Sequence, residues 1–432
     1  MSVSLRLHHR FSFPGVRALT LASILAAVTA LPVAAQTSDP ARRKAPDSAR
    51  PSSGEGEFRF GPVRVAPQGR LEADWRETVS AAGASESTSG LSSTRLGIKG
   101  RIGRALAFEL SGDPTDRTPW RDVKLAYTLP GSLVLTGGQF KVPFGLDAHR
   151  SSFERPLVYQ SRLADAYGLG RDLGASLEWR AWHKRLEIEG GAFAHGGVPA
   201  VEDRPIRGLR AGTTTLRVAL SPFGRSAGPL RSLTIAGGAT HSGIGESLST
   251  LTLQTIGNHD LTRPTYWANG TRRRLGLDLA VQPGPLALAA EYAHIEETRR
   301  GQGNANEDLA PLQGAGWSIE GALLLTGESA RKFKGPRRSI VDGGLGAISV
   351  VGRMEQAHLG TPGVSWPNAA SPRATMPALS QIRTLTAGLN WYPVGRSRLQ
   401  FNLIRESLTG ATTAEAAAPR QTTAVVRFQI EL

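Results

Sequence analysis

Five basic residues in this sequence each lie at a polar position of a segment in which polar and apolar side chains alternate. They are Lys99, Lys124, Arg217, Arg353 and Arg427. An arginine can bind phosphate oxygens through two parallel N–H bonds, whereas a lysine acts as a compact point charge. The pattern therefore predicts a row of cations that binds or passes anions.

Further basic residues extend this set in the second quarter of the chain. Lys141 ends one alternating segment, and the polar stretch after it carries Arg150, Arg155, Arg162 and Arg171. We expect Lys141, Arg150 and Arg162 to face a water-filled passage. For Arg155 and Arg171, local ion pairs that fix the stretch in place are an equally good interpretation.

No sequence pattern points to catalysis. The HExxH, P-loop and GxSxG motifs are absent, and the nine histidines do not fall at metal-ligand spacing on one element. The chain has no cysteine, which excludes a disulfide scaffold, a thiolate metal site and a cysteine nucleophile. We therefore expect that the protein is not an enzyme and that it binds neither a cofactor nor a metal.

The chain is strongly basic, with 51 Lys and Arg against 36 Asp and Glu and a formal net charge of +15. Basic strips can bind nucleic acid, but the export signal described next makes that partner unexpected. The phosphate groups of lipopolysaccharide are a second type of partner for these basic residues. Arg272–Arg274 and Arg299–Arg300, near the ends of long polar stretches, suit that role.

The N-terminus has the layout of a secretory signal. Three arginines precede the apolar run 18–31, and small residues end at Ala35. We expect residues 1–35 to be removed and 36–57, rich in Pro, Ser and Arg, to form a flexible leader. Export of a chain without cysteine suits the envelope of a Gram-negative bacterium.

From residue 58 to 432 the dominant pattern has a period of two. At the C-terminus, Ala424, Val426 and Phe428 alternate with Arg427 and Gln429, which predicts a strand with one apolar and one polar face. Sixteen such segments follow one another: 63–76, 94–101, 105–111, 122–128, 133–142, 172–180, 185–193, 211–220, 231–240, 272–281, 286–295, 316–326, 346–355, 382–391, 398–405 and 423–432.

The number of segments and the lengths of their connections favour a closed barrel. An even strand count, short turns at one end and long loops at the other are typical of transmembrane β-barrels. Long loops are expected near 77–92, 143–171, 194–210, 241–271, 296–314, 356–381 and 406–422. The connection 327–345 is long where a short turn is due. The predicted fold is all-β, a 16-stranded antiparallel transmembrane barrel. A secreted soluble β-sandwich or propeller is the alternative.

Several stretches resemble the phosphate-selective porin O and P family. They are GQFKVPFGLDAHRSSFERPLVYQ (138–160), GRDLGASLEW (170–179), AGWSIEGALLLTGESARKF (315–333), GAISVVGRMEQ (346–356) and TAGLNWYPVGRSRLQFNLI (386–404). They occur in the family's order. The resemblance implies a barrel in the outer membrane, usually a homotrimer, with its third loop folded inward.

The resemblance also implies passive diffusion of small anions, in some members phosphate or polyphosphate. Combined with the inward cations, it predicts an anion channel in which Lys141→Glu, or charge reversal at Arg353, reduces anion preference. A general-diffusion porin without phosphate specificity and a surface adhesin or receptor barrel are the alternatives. The physiological anion is left open.

Overall fold

The computed structural model describes residues 56–81, 83–116, 119–195, 212–224, 228–249, 251–256, 266–361, 372–374, 379–410 and 420–432. The expected signal segment 1–35 and the leader up to residue 55 lie outside these ranges, so both stay predictions. Among the described residues, no helix combines the length and the apolar character that crossing a bilayer requires.

In the described part of the chain, one antiparallel sheet contains seventeen strands. Their bounds are β1 (Phe58–Phe60), β2 (Val63–Ser80), β3 (Ser85–Ile102), β4 (Leu106–Gly112), β5 (Trp120–Leu129), β6 (Leu133–Lys141), β7 (Arg171–Ala181), β8 (Leu186–Phe193), β9 (Thr213–Leu220), β10 (Thr234–Leu248), β11 (Trp267–Val281), β12 (Leu286–Arg299), β13 (Leu309–Leu324), β14 (Ala347–Gly360), β15 (Ser380–Tyr392), β16 (Ser397–Thr409) and β17 (Arg420–Glu431).

The strands β2 to β17 close into a ring. Each pairs with the next along the chain, and β17 pairs back with β2, so that Gln429 lies opposite Glu72. The short β1 pairs with the start of β2. Closure removes the free sheet edges that would otherwise need partners. The predicted 16-stranded antiparallel barrel is confirmed.

The two faces of the wall differ as the alternation predicts. On β11, Leu275 and Leu277 are 59% and 62% exposed on the outer surface, whereas Asp278 is 7% exposed inside the barrel. A lipid-facing leucine and a lumen-facing carboxylate each match the medium they meet. The period-two pattern therefore fixes which side chains enter the lumen.

Many strands extend further at the long-loop end than the sequence predicts. The clearest case is the expected loop 77–92, which is wrong: β2 continues to Ser80 and β3 already begins at Ser85. The sequence of this extension, SESTSGLSS, is polar on both faces. Above the hydrocarbon both faces of a hairpin meet water, so the apolar phase that identifies a strand disappears.

The connection 142–170 between β6 and β7 folds into the barrel, as the resemblance implies. It contains two short helices, α1 (Leu146–His149) and α2 (Arg162–Tyr167). The Ser161 hydroxyl accepts a hydrogen bond from the Ala164 amide at 3.1 Å and caps α2. Leu163 and Tyr167 are 1% exposed and join an apolar core inside the barrel.

A second inward segment was not predicted. Residues 251–256, between β10 and β11, place Leu251 and Leu253 in the same apolar core. The carbonyl of Gln254 accepts a hydrogen bond from Arg162 of α2 at 3.3 Å. Two connections therefore narrow the lumen together.

The long connection 327–345 lies across the short-turn end. The Ala330 amide donates to the Gly284 carbonyl at 2.8 Å, and the Ile340 amide donates to the Pro393 carbonyl at 3.0 Å. Between them Gly335, at φ +134°, lies so close to Gly395 that a Cβ would be 2.5 Å from its Cα. Such a backbone approach requires glycine. The connection thus ties two distant turns together.

Candidate functional site

The inward connection 142–170 is held against the wall formed by β14 to β17. Arg398 donates to the carbonyl of Arg155 at 2.8 Å and to the carbonyl of Ser152 at 3.2 Å. Asn390 and Gln400 both donate to the carbonyl of Pro156, at 2.8 and 3.0 Å. Wall side chains therefore satisfy loop carbonyls that burial would otherwise leave unpaired.

The same pattern continues along the loop. The Val158 amide donates to Asn402 at 2.8 Å, and Arg427 donates to the Val158 carbonyl at 3.2 Å. Arg353 donates to the carbonyls of the next two residues, Tyr159 and Gln160, at 3.1 and 3.0 Å. We call Arg353, Asn390, Arg398, Gln400, Asn402 and Arg427 the loop-anchoring set.

Arg353 lies behind the loop and is surrounded by carboxylates. Its side chain is 2% exposed and lies 3.2 Å from Glu355, 3.6 Å from Glu320 and 3.8 Å from Asp147. A buried guanidinium is stable only when charge and hydrogen-bond partners replace its hydration. Arg353 meets that condition as a structural cation.

The other half of the barrel, mainly β2 to β8, remains open. Together with the inner surface of the loop it encloses a cavity of about 1450 Å³. Twelve basic and eleven acidic side chains of the described residues line this cavity. The number of charges alone therefore favours neither anions nor cations. The local field in the lumen depends on which cations are paired with a carboxylate.

Two arginines share one carboxylate on the open wall. Arg95 on β3 and Arg171 on β7 both contact Asp122 of β5, and the Arg171 contact is 2.9 Å. Lys124, one inward position further along β5, lies 3.3 Å from Glu109. The group around Asp122 thus carries more positive than negative charge.

Lys141 contacts carbonyl oxygens at the base of the loop. Its ammonium group donates to the carbonyls of Ala148, at 2.8 Å, and of Arg150. Within the described residues no carboxylate lies within ion-pair distance of Lys141, or of Lys99, which is exposed in the lumen. Glu109, which lies opposite Lys99 in the strand register, is paired with Lys124, so Lys99 and Lys141 act on the lumen as incompletely compensated charges.

The nine residues that the sequence analysis assigned to the anion path divide into two groups. Lining the cavity are Lys99, Lys124, Lys141, Arg150, Arg155, Arg162 and Arg427. Outside its lining lie Arg353, behind the loop, and Arg217, which makes two bonds of 2.9 and 3.0 Å to Asp278. We leave Arg217 and Arg353 out of the path because they do not line the cavity.

Several of the lining residues also have structural partners. Arg150 lies 2.9 Å from Glu320, Arg162 lies 3.2 Å from Asp165, and Arg427 makes two bonds of 2.6 Å to Asp74. Arg155 donates to the neutral Gln160 at 3.2 Å rather than to the preceding glutamate. The expected local ion pair of Arg155 is therefore not formed in the structure.

Sequence analysis missed Arg95 and the loop-anchoring role of Arg398. Arg95 lies four residues before Lys99 on the same strand, so the alternation carried the signal for its inward orientation. Arg398 shares the inward phase of Gln400 and Asn402. Their common partner, the loop backbone, carries no side-chain signal in the sequence.

The family model for phosphate-selective porin O and P matches residues 68–432. No curated protein matches the chain. OmpT of Vibrio cholerae superposes with a TM-score of 0.56 at 10% identity, over 87% of this chain and 99% of that one.

Two further solved structures have the same fold. A trimer form of V. cholerae OmpT gives a TM-score of 0.52 at 11% identity, over 86% of this chain and 99% of that one. The outer membrane channel DcaP of Acinetobacter baumannii gives 0.55 at 9% identity, over 88% and 100%. With the family match, the closed barrel and its open lumen identify an outer-membrane channel protein, and the chain belongs to the phosphate-selective porin O and P family.

Proposed function

We propose that the protein passes small anions by passive diffusion along the open wall of its barrel. The observation that carries the proposal is the incomplete pairing of its lumen cations. Lys99 and Lys141 line the cavity without a carboxylate partner in the described residues, and Arg95 and Arg171 share Asp122. Rings of Lys and Arg replace part of an anion's hydration with charge and donors.

Phosphate is the anion that this geometry suits best. Two guanidinium groups on either side of one position offer several N–H donors to the oxygens of a tetrahedral anion. Asp122 occupies that position in the structure and competes with an entering anion. Competition keeps binding weak, and weak binding is what permits release and flux.

General diffusion is the second candidate function, and it rests on the near balance of twelve basic and eleven acidic lining residues. A balanced lumen would pass ions of either sign. The two candidates differ in the sign and size of the reversal potential under a salt gradient.

The test is single-channel recording of the purified protein in a planar bilayer under a potassium chloride gradient, followed by titration with phosphate. We expect an anion-selective reversal potential and a chloride current that falls as phosphate is added. Anion selectivity without a phosphate effect would leave a general anion channel. A reversal potential near zero or of cation sign would contradict the proposal.

We also propose that the protein is a homotrimer in the outer membrane. The family resemblance and the trimer form of V. cholerae OmpT support this assembly. Native mass spectrometry of the detergent-solubilised protein should give three times the mass of one chain. A stable monomer at micromolar concentration would contradict it.

A further inference from the structure

Three arginines near the long-loop end face outward, away from the lumen. Arg383 on β15, Arg405 on β16 and Arg420 on β17 are all exposed. Each lies in the outward phase of its strand, since the inward neighbours Thr384, Glu406 and Gln421 are buried. We call Arg383, Arg405 and Arg420 the arginine triad.

The strand register brings the triad together on one surface. Arg383 pairs with Ser407, and Ser407 pairs with Arg420, so these three residues form one row across three strands. Arg405 lies on the same face two residues below Ser407. Neighbouring strands are about 4.8 Å apart, so the row places Arg383 and Arg420 about 10 Å apart at their Cα atoms. Long arginine side chains can meet across that distance.

The triad borders the apolar band of the barrel. Leu385 lies directly opposite Arg405 in the strand register, and Leu403 lies one outward position below Arg405; the two leucines are 58% and 57% exposed. An arginine that faces lipid costs about 2–4 kcal/mol at the bilayer midplane and about 0–1 kcal/mol near the interface. The change from leucine to arginine therefore marks the boundary between hydrocarbon and headgroups.

Within the part of the chain that the structure describes, the charge at this boundary has no acidic partner. Among the described residues, no carboxylate lies within ion-pair distance of any triad guanidinium; Arg383 donates to the neutral Gln356 at 3.2 Å. Arg273, an outward arginine on β11, differs because Glu296 lies directly opposite it. The triad thus needs an external anion where the Arg273 position has an acidic neighbour.

We propose that the arginine triad binds the phosphate groups of a phosphorylated lipid in the outer leaflet. Because the triad lies at the level of the lipid headgroups, their phosphate groups are within its reach. Its guanidinium groups are planar donors for phosphate oxygens. The Ser407 hydroxyl, between Arg383 and Arg420, adds a neutral donor for the same headgroup.

Of the residues expected to contact lipopolysaccharide, Arg272–Arg274 and Arg299–Arg300, only Arg273 and Arg300 are exposed. Arg272, Arg274 and Arg299 are 3%, 2% and 1% exposed and lie inside the barrel, so they cannot meet lipid. The alternation explains the difference, because adjacent residues of a strand face opposite sides.

The test compares lipid retention by the full chain and by the triple variant Arg383→Gln, Arg405→Gln, Arg420→Gln. Native mass spectrometry would be run with bisphosphorylated lipid A and with dephosphorylated lipid A. We expect the triple variant to retain bisphosphorylated lipid A at least about tenfold less well, since several charge-assisted bonds are lost. Dephosphorylated lipid A should bind both proteins alike, and Arg273→Gln should behave as the wild type.

Three outcomes would overturn the proposal. Equal retention of bisphosphorylated lipid A by wild type and triple variant would remove the triad from lipid binding. Loss of the oligomer with unchanged lipid retention would identify an interface between copies. Equal binding of inorganic phosphate and lipid A would identify a free-anion site.

Two controls separate this site from folding and from the channel function. The triple Arg→Lys variant keeps the charge and should retain lipid A better than the Gln variant. Both variants replace the same three side chains, so a difference between them reports on charge rather than on the stability of the fold. Single-channel conductance of the Gln variant should equal that of the wild type, because the triad lies outside the lumen. The lipid site and the proposed anion path can therefore fail independently.

Discussion

Lys141 and Arg217 are both inward lysine or arginine residues, yet the structure gives them different electrostatic roles. Lys141 contacts only carbonyl oxygens in the described part of the chain, whereas Arg217 is neutralised by Asp278. The alternation correctly predicted that both face inward. It could not predict their partners, because those come from other strands or from the loop.

The difference leads to a prediction for ion selectivity. Lys141→Glu should lower the anion-to-cation permeability ratio by at least about twofold, because the field in a narrow lumen is set by few charges. The double variant Arg217→Gln, Asp278→Asn, the control, removes a neutral pair without changing the net charge and should leave the ratio unchanged. Reversal potentials in a potassium chloride gradient measure both. Equal shifts in the two variants would show that pairing does not govern selectivity.

Asp113, just after β4, provides a prediction for acid stability. The carboxyl is 1% exposed, and burial raises its pKa, but hydrogen bonds from Ser93, Thr115 and the Thr94 amide outweigh burial and lower the pKa to about 2 from 3.8. A folded-state pKa below the unfolded value contributes stability that is present above pH 4 and is lost as the pH falls toward 2.

Asp113→Asn should therefore destabilise the barrel at pH 7 by about 2 kcal/mol, the equivalent of this pKa shift. The difference between variant and wild type should shrink between pH 4 and pH 2. Urea unfolding in detergent at several pH values measures it. A difference that stays constant over that range would exclude the carboxylate as its source.

At the scale of elements, the strands were predictable and the loop anchors were not. All sixteen predicted segments overlap barrel strands, because lipid on one side and water on the other impose the period of two. The connection 142–170 has no comparable pattern. Its position depends on Asn390, Arg398 and Gln400, more than 200 residues away in sequence.

Arg398→Met tests the anchoring of the loop. The substitution removes the donors to the carbonyls of Ser152 and Arg155, and we expect a loss of about 3 kcal/mol because two buried acceptors lose charged partners. We also expect larger current fluctuations and faster proteolysis within 142–170. Arg217→Met also breaks a wall contact, but one that donates to Asp278 and to no carbonyl of the loop, so it should lower stability without those two effects. A quiet, protease-resistant Arg398→Met channel would contradict the assignment.

At the scale of the whole molecule, a formal net charge of +15 says little about the lumen. Part of that charge faces outward at Arg383, Arg405 and Arg420, and part is neutralised at the wall. The cavity itself is nearly balanced in number. The proposed anion preference must therefore come from a few incompletely paired cations rather than from the field of the whole chain.

The dependence of ion selectivity on salt concentration distinguishes the field of the wall charges from direct binding of an anion. Wall charges act through water, and the screening length falls from about 10 Å at 0.1 M salt to about 3 Å at 1 M. The permeability ratio of chloride to potassium should therefore approach one as the mean salt concentration rises over this range. Phosphate held directly between Arg95 and Arg171 is screened much less, so reduction of chloride current by phosphate should persist at 1 M salt. Phosphate could instead stop reducing the chloride current at the same salt concentration at which the permeability ratio approaches one. In that case Arg95 and Arg171 contribute only to the general field of the lumen and do not bind phosphate directly.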